Sequence, residues 1–232
     1  MAANRLWSAI VAVLVVAGVG WLAATARAEP PVVIPAPTVD SPKTPGRMQT
    51  AVLAGGCFWG MQGVFEHVRG VHEVLAGYSG GARSTAEYQE VGTGRTGHAE
   101  SVQVIFDPAQ LTYGEVLRIY FSVAHDPTEL NRQGPDVGTQ YRSVIFYADD
   151  AQRHIAESYI AQLDQGKVFA QPIVTRVQAL QGFYAAEGYH QDFYLKNPQD
   201  PYIVFNDLPK IKSLKRLFPD YYRDPPVTAG AR

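Results

Sequence analysis

Cys57 is the only cysteine among the 232 residues of this chain, and no other feature limits its possible folds more. Because a disulfide needs two thiols, the chain cannot be a small scaffold held together by internal disulfides. Its stability must come from a hydrophobic core, which a chain of this length with 46% hydrophobic residues can bury. We predict one compact domain, in which the single thiol is available for chemistry.

The charge balance argues against a nucleic acid partner. The chain has 20 basic and 22 acidic residues, which give a formal net charge of -2. It has no run of lysines and arginines of the kind that follows a phosphate backbone. We therefore expect no binding to nucleic acid.

The first 28 residues differ in composition from the rest. Arg5 precedes an almost uninterrupted apolar stretch over residues 6–24, and Ala26-Arg27-Ala28 follows. This order is typical of a secretory signal peptide, so we expect export, to a bacterial periplasm. The apolar stretch also approaches the roughly 20 residues that span a bilayer. An uncleaved membrane anchor is therefore the alternative, and only then do we expect the protein at a membrane.

Prolines dominate the next segment, residues 29–47, and stand at positions 30, 31, 35, 37, 42 and 45. Such a composition predicts an extended, poorly packed linker. We place the folded domain at residues 48–222 and a flexible C-terminal tail at residues 223–232.

Hydrophobic periodicity predicts both strands and helices within the domain. The predicted strands cover residues 50–54, 71–78, 101–106, 141–147 and 173–177. One predicted helix begins near residue 57, and two more cover residues 112–124 and 149–163. Residues 80–97 are rich in glycine, serine and threonine and are expected to form a long loop. With no repeat and no sharp break, this mixture predicts an α/β or α+β fold with a largely buried sheet.

The thiol lies at the predicted turn between the first strand and the first helix, within Gly-Gly-Cys-Phe-Trp-Gly at residues 55–60. The N–H groups and the dipole at a helix N-terminus stabilise a thiolate, so we expect a lowered pKa for Cys57. A free cysteine can also be a small buried hydrophobic residue. Likewise, Phe58 and Trp59 either line an apolar pocket beside the thiol or belong to the core.

Five sequence blocks resemble those of the A-type peptide methionine sulfoxide reductases and occur in that family's order. They are Gly-Cys-Phe-Trp-Gly at 56–60, Gly-Tyr-Ser-Gly-Gly at 77–81, Thr-Gly-His-Ala-Glu at 96–100, Gly-Thr-Gln-Tyr-Arg-Ser at 138–143 and the shorter Tyr-His-Gln at 189–191. The resemblance covers residues 48–205 and excludes the N-terminal segments. It implies one domain with a mixed sheet flanked by helices, a ferredoxin-like α-β plait. It also implies an enzyme that reduces the S epimer of methionine sulfoxide, free or in proteins.

The resemblance implies a role for the thiol and its two aromatic neighbours. Cys57 matches the nucleophile that attacks the sulfoxide sulfur, and Phe58 and Trp59 match the residues that hold the substrate methyl group. Many members of the family carry further cysteines in a C-terminal tail, whereas residues 218–232 contain none. We therefore expect a sulfenic acid that an external thiol recycles, either a small molecule or a thioredoxin-like protein. No bound cofactor is expected.

The resemblance also supplies a proton donor. Glu100 matches the acid that protonates the sulfoxide oxygen, and Tyr88 and Tyr141 match its hydrogen-bonding companions. Because an ordinary glutamate has a pKa of about 4.3, the role requires an apolar pocket that raises the pKa of Glu100. Asp136 matches a further polar position of the site.

Two other functional classes stay open from the residues alone. A thiol with a histidine, His98 or His190, could form a cysteine hydrolase. A secreted binding module that uses exposed aromatic residues would not need Cys57. No metal is expected, because the six histidines lie singly, without ligand spacing. We expect a monomer.

Overall fold

The computed structural model describes residues 31–230, and the predicted signal peptide at residues 1–28 lies outside them. The strands are β1 (Gln49–Ala54), β2 (Val71–Ser79), β3 (Ala99–Phe106), β4 (Arg132–Gln133), β5 (Asp136–Val137), β6 (Val144–Tyr147), β7 (Arg176–Ala179) and β8 (Phe183–Ala185). The helices are α1 (Phe58–Glu66), α2 (Tyr88–Val91), α3 (Tyr113–Ile119), α4 (Asp150–Gln165), α5 (Phe193–Lys196) and α6 (Leu208–Leu217). No helix within residues 31–230 is long and apolar enough to cross a membrane.

Six of the strands form one mixed sheet in the order β7-β6-β1-β3-β2-β8. Neighbouring strands are antiparallel except β6 and β7, which are parallel. Strands β4 and β5 pair separately as a short ribbon. In the register of β1 and β3, Leu53 pairs with Val102, so the chain that leaves β1 runs beside the start of β3. This pairing brings Glu100 close to the turn that carries the thiol.

The sheet is buried on both faces. Along β1, Ala51 and Leu53 join the main hydrophobic cluster, which includes residues of α1, α3, α4 and α6. Val52 and Ala54 point the other way, into a smaller cluster. Such alternation is that of a strand with two covered faces. The predicted fold class, a mixed sheet flanked by helices, is confirmed.

The helix predicted at residues 112–124 begins where the sequence indicates and ends earlier. Thr112 and Glu115 form a capping box, in which each side chain accepts a hydrogen bond from the other residue's N–H. The α-helix ends at Ile119, and Tyr120–Ala124 continues as a π-helical turn. Hydrophobic spacing alone does not distinguish the two kinds of turn.

Two predicted strands begin later than expected. The strand predicted at residues 141–147 begins at Val144, because Thr139–Tyr141 forms a 3-10 turn. The strand predicted at residues 173–177 begins at Arg176, which is the first residue to pair with β6. The loop predicted at residues 80–97 contains the single turn of α2. Strands β4, β5 and β8 and helices α5 and α6 were not predicted.

The segment predicted as a poorly packed linker, residues 29–47, is held to the domain at several points within its described part, although most of its described residues are exposed. Ile34 is fully buried in the core, and its carbonyl accepts a hydrogen bond from Nε of Arg118. Asp40 accepts a hydrogen bond from the N–H of Gly114 in the first turn of α3. The segment is extended, as its prolines predict, but its partners lie far along the chain and leave no mark on its composition.

The C-terminal tail, which the sequence predicts to be flexible, makes hydrogen bonds to the domain within residues 223–230. The N–H of Val227 donates to the carbonyl of Glu66, and the N–H of Ala229 donates to Oδ1 of Asp192. These bonds hold the tail against the end of α1 and the start of α5.

Candidate active site

Cys57 lies at the turn from β1 into α1, as the residue immediately before the helix. Gly56 makes this turn possible, because its φ of +87° favours glycine. A Cβ atom at Gly56 would also lie 2.5 Å from Cγ of Gln133. Cys57 itself is 8% exposed. The thiol therefore lies at the predicted strand-to-helix turn, with little access to solvent.

Glu100 lies beside this turn. Its Oε2 atom accepts a hydrogen bond from the N–H of Phe58 over 3.1 Å, and its side chain is buried. Burial raises the pKa of Glu100 to about 8, although the bond from Phe58 lowers it, and the carboxylates of Asp136 and Asp207 raise it further. At neutral pH the group is mostly a neutral carboxylic acid, which is the form that a proton donor needs.

The expectation of a lowered pKa for Cys57 was wrong. Burial raises the pKa of the thiol well above its usual value, and the carboxylates of Glu100, Asp207 and Asp136 add to the rise. A hydrogen bond from the N–H of Trp59 acts in the opposite direction and is outweighed. The helix N-terminus is present, but Glu100 already accepts from its first N–H group. The resting nucleophile is consequently a neutral thiol.

Tyr88 and Tyr141 reach the site from two different segments. Tyr88 is the first residue of α2, and its N–H donates to Oε1 of Glu187 over 2.9 Å. Tyr141 ends the 3-10 turn that replaced the predicted strand. Burial, followed by the charge of Glu100, raises the pKa of both phenols. Both are therefore protonated and able to donate hydrogen bonds near Glu100.

Phe58 and Trp59 have different environments. Phe58 is fully buried, with ring centroids 5.8 Å from Tyr78 and 5.0 Å from His190. Trp59 is only partly buried and stacks on Phe193 with centroids 3.8 Å apart. Its Nε1 donates to Nδ1 of His190 over 3.1 Å. Phe58 therefore belongs to the core, while Trp59 is held in one orientation at its edge.

Tyr202 is a site residue that the sequence did not predict. Its hydroxyl donates a short hydrogen bond to Oδ2 of Asp136, and its ring meets Trp59 edge-on with centroids 6.0 Å apart. After burial, the charge of Cys57 is the largest cause that raises the Tyr202 pKa, which indicates that the phenol lies near the thiol. No local periodicity marks position 202, because only the packing of the C-terminal segment brings it to the site.

The two candidate histidines have other partners, which argues against the hydrolase alternative. Nδ1 of His98 accepts from the N–H of Gly81 over 3.3 Å, and Nε2 lies 3.0 Å from the carbonyl oxygen of Ala82. Nδ1 of His190 accepts from Trp59. Burial lowers the pKa of His190. His98 therefore fixes a loop and His190 orients the indole.

The site combines a sulfur nucleophile with a neutral acid and several phenols. Such a set can protonate an oxygen atom while the sulfur attacks the atom that bears it. A groove of about 860 Å³ opens beside the site, with Asp136 and Tyr202 in its wall. The described residues contain no group of three or more His, Cys, Asp or Glu side chains that could hold a metal ion.

Comparison with known sequences is consistent with this chemistry. The family model described as peptide methionine sulfoxide reductase matches residues 49–221. A protein from Mesorhizobium japonicum named peptide methionine sulfoxide reductase MsrA 2 is 58% identical over 189 residues, which are 82% of this chain and 96% of the relative. A protein of the same name from Synechocystis sp. is 50% identical over 191 residues, which are 81% of this chain and 89% of the relative.

Two solved structures share the fold. Mxr1 from Saccharomyces cerevisiae in its reduced form superposes with a TM-score of 0.59 at 32% identity, over 70% of this chain and 92% of the yeast chain. Methionine sulfoxide reductase A of Corynebacterium diphtheriae superposes with a TM-score of 0.56 at 33% identity, over 75% of this chain and 87% of that chain.

Proposed function

This chain belongs to the peptide methionine sulfoxide reductase family, and we propose that it reduces the sulfoxide through a sulfenic acid on Cys57, with Glu100 as the proton donor. The observation that supports this most directly is the hydrogen bond from the Phe58 N–H to Glu100. This bond holds a buried carboxylic acid against the backbone of Phe58, the residue that directly follows Cys57.

The proposed reaction transfers oxygen between two sulfur atoms. The Cys57 sulfur attacks the sulfoxide sulfur while Glu100 protonates the sulfoxide oxygen, because an unprotonated oxygen leaves poorly. Methionine departs with its sulfur reduced by two electrons, and Cys57 becomes a sulfenic acid, oxidised by two electrons. The bond between the methionine sulfur and the oxygen breaks, and the oxygen, which carries the Glu100 proton, becomes bonded to the Cys57 sulfur as the transient bond between the two sulfurs breaks. The proton that the thiol loses restores the Glu100 acid.

Five further residues have supporting roles in this proposal: Tyr88, Tyr141, Trp59, Phe58 and Asp136. The two phenols donate hydrogen bonds to the developing negative charge on the sulfoxide oxygen, in a buried site where such bonds are strong. Trp59, fixed by Phe193 and His190, offers an apolar face to the substrate methyl group. Phe58 supports that wall from the core, and Asp136 orients the hydroxyl of Tyr202.

The sulfenic acid must be reduced from outside the chain, because there is no second cysteine. A first external thiol condenses with it to give a mixed disulfide and water. A second thiol then attacks this disulfide and releases Cys57 as a thiol. A small thiol or a thioredoxin-like protein can supply both steps.

An epimer-resolved assay tests the proposed substrate. The domain is mixed with the S and R epimers of a methionine sulfoxide peptide, with a chemical dithiol as the electron donor. We expect turnover of the S epimer, free or in peptides, and none of the R epimer. Equal turnover of both, or of neither, would contradict the proposal.

We also propose that residues 1–28 export the domain from a bacterial cytoplasm, so that it repairs oxidised proteins in the periplasm. The apolar stretch and the Ala26-Arg27-Ala28 site support this. Mass spectrometry of the mature protein should find an N-terminus at Glu29. An intact Met1 in the membrane fraction would favour the anchor instead.

A further inference from the structure

Asp207 is a buried carboxylate with no part in the proposed reaction. It ends the π-helical turn before α6 and is 0% exposed. Within the described residues, neither of its carboxyl oxygens accepts a well-formed hydrogen bond. Burying an ionisable group without such bonds costs free energy, so its position calls for a physical reason.

Asp207 packs closely against Gly60 of α1, the helix that follows Cys57. A Cβ atom on Gly60 would lie 2.2 Å from Oδ1 of Asp207 and 3.0 Å from Nζ of Lys210. Residues three apart share one face of a helix, so the carboxylate lies one turn along α1 from Cys57. Only a residue without a side chain at position 60 lets this charge approach the helix so closely.

Lys210 is the cation that accompanies Asp207. Its Nζ lies 3.6 Å from Oδ1 of Asp207, and its side chain is 19% exposed. It also lines the groove beside the site and favours the charged form of Asp136. Asp207 therefore lies at the buried first turn of α1, and the side chain of Lys210 extends from it to partial contact with solvent.

We propose that Asp207 and Lys210 are positioning residues that set the ionisation of Cys57: the carboxylate opposes formation of the thiolate, and the ammonium offsets part of that opposition. The pair acts through the thiol and does not touch the substrate.

The charges around Asp207 are consistent with this arrangement. Burial raises its pKa to about 6, Lys210 lowers it, and Asp136 and Asp200 raise it, so the group is ionised at neutral pH. It acts in turn on three site residues, Cys57, Glu100 and Tyr202. Because the thiolate is the form that peroxides oxidise, a neutral resting thiol also protects a chain that has no second cysteine.

The test measures the pH dependence of Cys57 alkylation by iodoacetamide. All alkylation of cysteine reports on this thiol, because the chain has no other. In Asp207→Asn the midpoint should fall by about half a unit to one unit, which makes alkylation at pH 7 about three to ten times faster. In Lys210→Met the midpoint should rise by a similar amount, because Asp207 is ionised at the alkaline pH where the thiol titrates.

Two exposed residues near α6 give matched controls. Lys212→Met and Asp220→Asn remove the same charges at exposed positions and should leave the midpoint unchanged. If Asp207→Asn does not fold, as judged by circular dichroism, Lys210→Met decides the question alone. An unchanged midpoint in the variants that fold, shifts of both in one direction, or equal shifts in the controls would overturn the proposal.

Only the effect of this charge pair on catalysis depends on the proposed role of Cys57 as the nucleophile. Alkylation needs no sulfoxide, so the midpoint can be measured even if the protein fails to reduce the substrate. Failure of the charge pair and failure of the proposed reaction therefore give different results.

Discussion

The backbone N–H of Phe58 donates a hydrogen bond to the carboxyl group of Glu100, so the first amide of the catalytic helix is bonded to the proposed acid rather than free for the thiol. This bond joins the two halves of the proposed chemistry. It fixes the acid beside the nucleophile, and it occupies one of the helix N-terminal N–H groups that could otherwise stabilise the Cys57 thiolate.

Glu100→Gln should slow the reduction step by about 10²-fold or more, because glutamine keeps an oxygen for the Phe58 N–H but has no proton to transfer. Substrate binding should change much less. Single-turnover rates with a methionine sulfoxide peptide measure the step directly. A rate equal to that of the parent would move the acid role to Tyr88 or Tyr141.

The rate should also depend on pH through Glu100. Its pKa is raised to about 8, so the acid is protonated below that pH and loses its proton above it. The Cys57 thiolate becomes more abundant over the same range, so the measure is the ratio of the parent's single-turnover rate to that of Glu100→Gln. This ratio should fall as the pH rises past about 8, and a ratio that stays constant between pH 7 and 9 would contradict the assignment.

The three central strands β1, β2 and β3 and the turn that carries Cys57 could be predicted from sequence, because alternating apolar residues and paired glycines are local signals. The environment of the thiol could not. The pattern around residue 57 indicates a helix N-terminus, but the carboxylates that oppose the thiolate come from β3, from β5 and from the segment before α6. Their effect depends on packing between distant parts of the chain.

The C-terminal part of the site illustrates the same limit. Helix α6 had a readable signal, since Leu208, Ile211 and Leu214 recur at intervals of three and Pro209 lies in the first turn. Tyr202 had none. The roles of Glu100, Tyr88 and Tyr141 came from the family resemblance, because an isolated glutamate or tyrosine gives no pattern of its own.

Gly56→Ala should destabilise the domain by roughly 1–3 kcal/mol and strongly reduce activity. The new side chain would combine a positive φ with a clash against Gln133. Gly134→Ala is a matched control, because its φ is +55° and a Cβ atom there would meet nothing within 4 Å. Chemical denaturation of both variants separates the cost of the positive φ from the cost of the clash with Gln133. Equal losses in the free energy of unfolding would mean that the clash does not matter.

Glu66→Gln should stabilise the protein increasingly as the pH rises. Burial, followed by Asp192, raises the pKa of Glu66 to about 9, so folding favours its neutral form. The folded state therefore binds the Glu66 proton more tightly than the unfolded chain does. The stability gained in this way is complete below about pH 4.5 and is lost as the pH rises towards 9. Glutamine remains neutral throughout, so its advantage should be roughly 1–3 kcal/mol larger at pH 8 than at pH 5. Urea unfolding at both values tests this, and an equal difference would refute it.

The most direct test of the account is a burst experiment on thiol-free protein. Mixed with excess methionine sulfoxide peptide and no reductant, the enzyme should release about one methionine per chain and stop, because Cys57 is its only thiol. A sulfenic-acid trap should then label the Cys57 peptide, added thiol should restore turnover, and Cys57→Ser should give no burst. Sustained turnover without reductant, or a burst that survives Cys57→Ser, would contradict the mechanism.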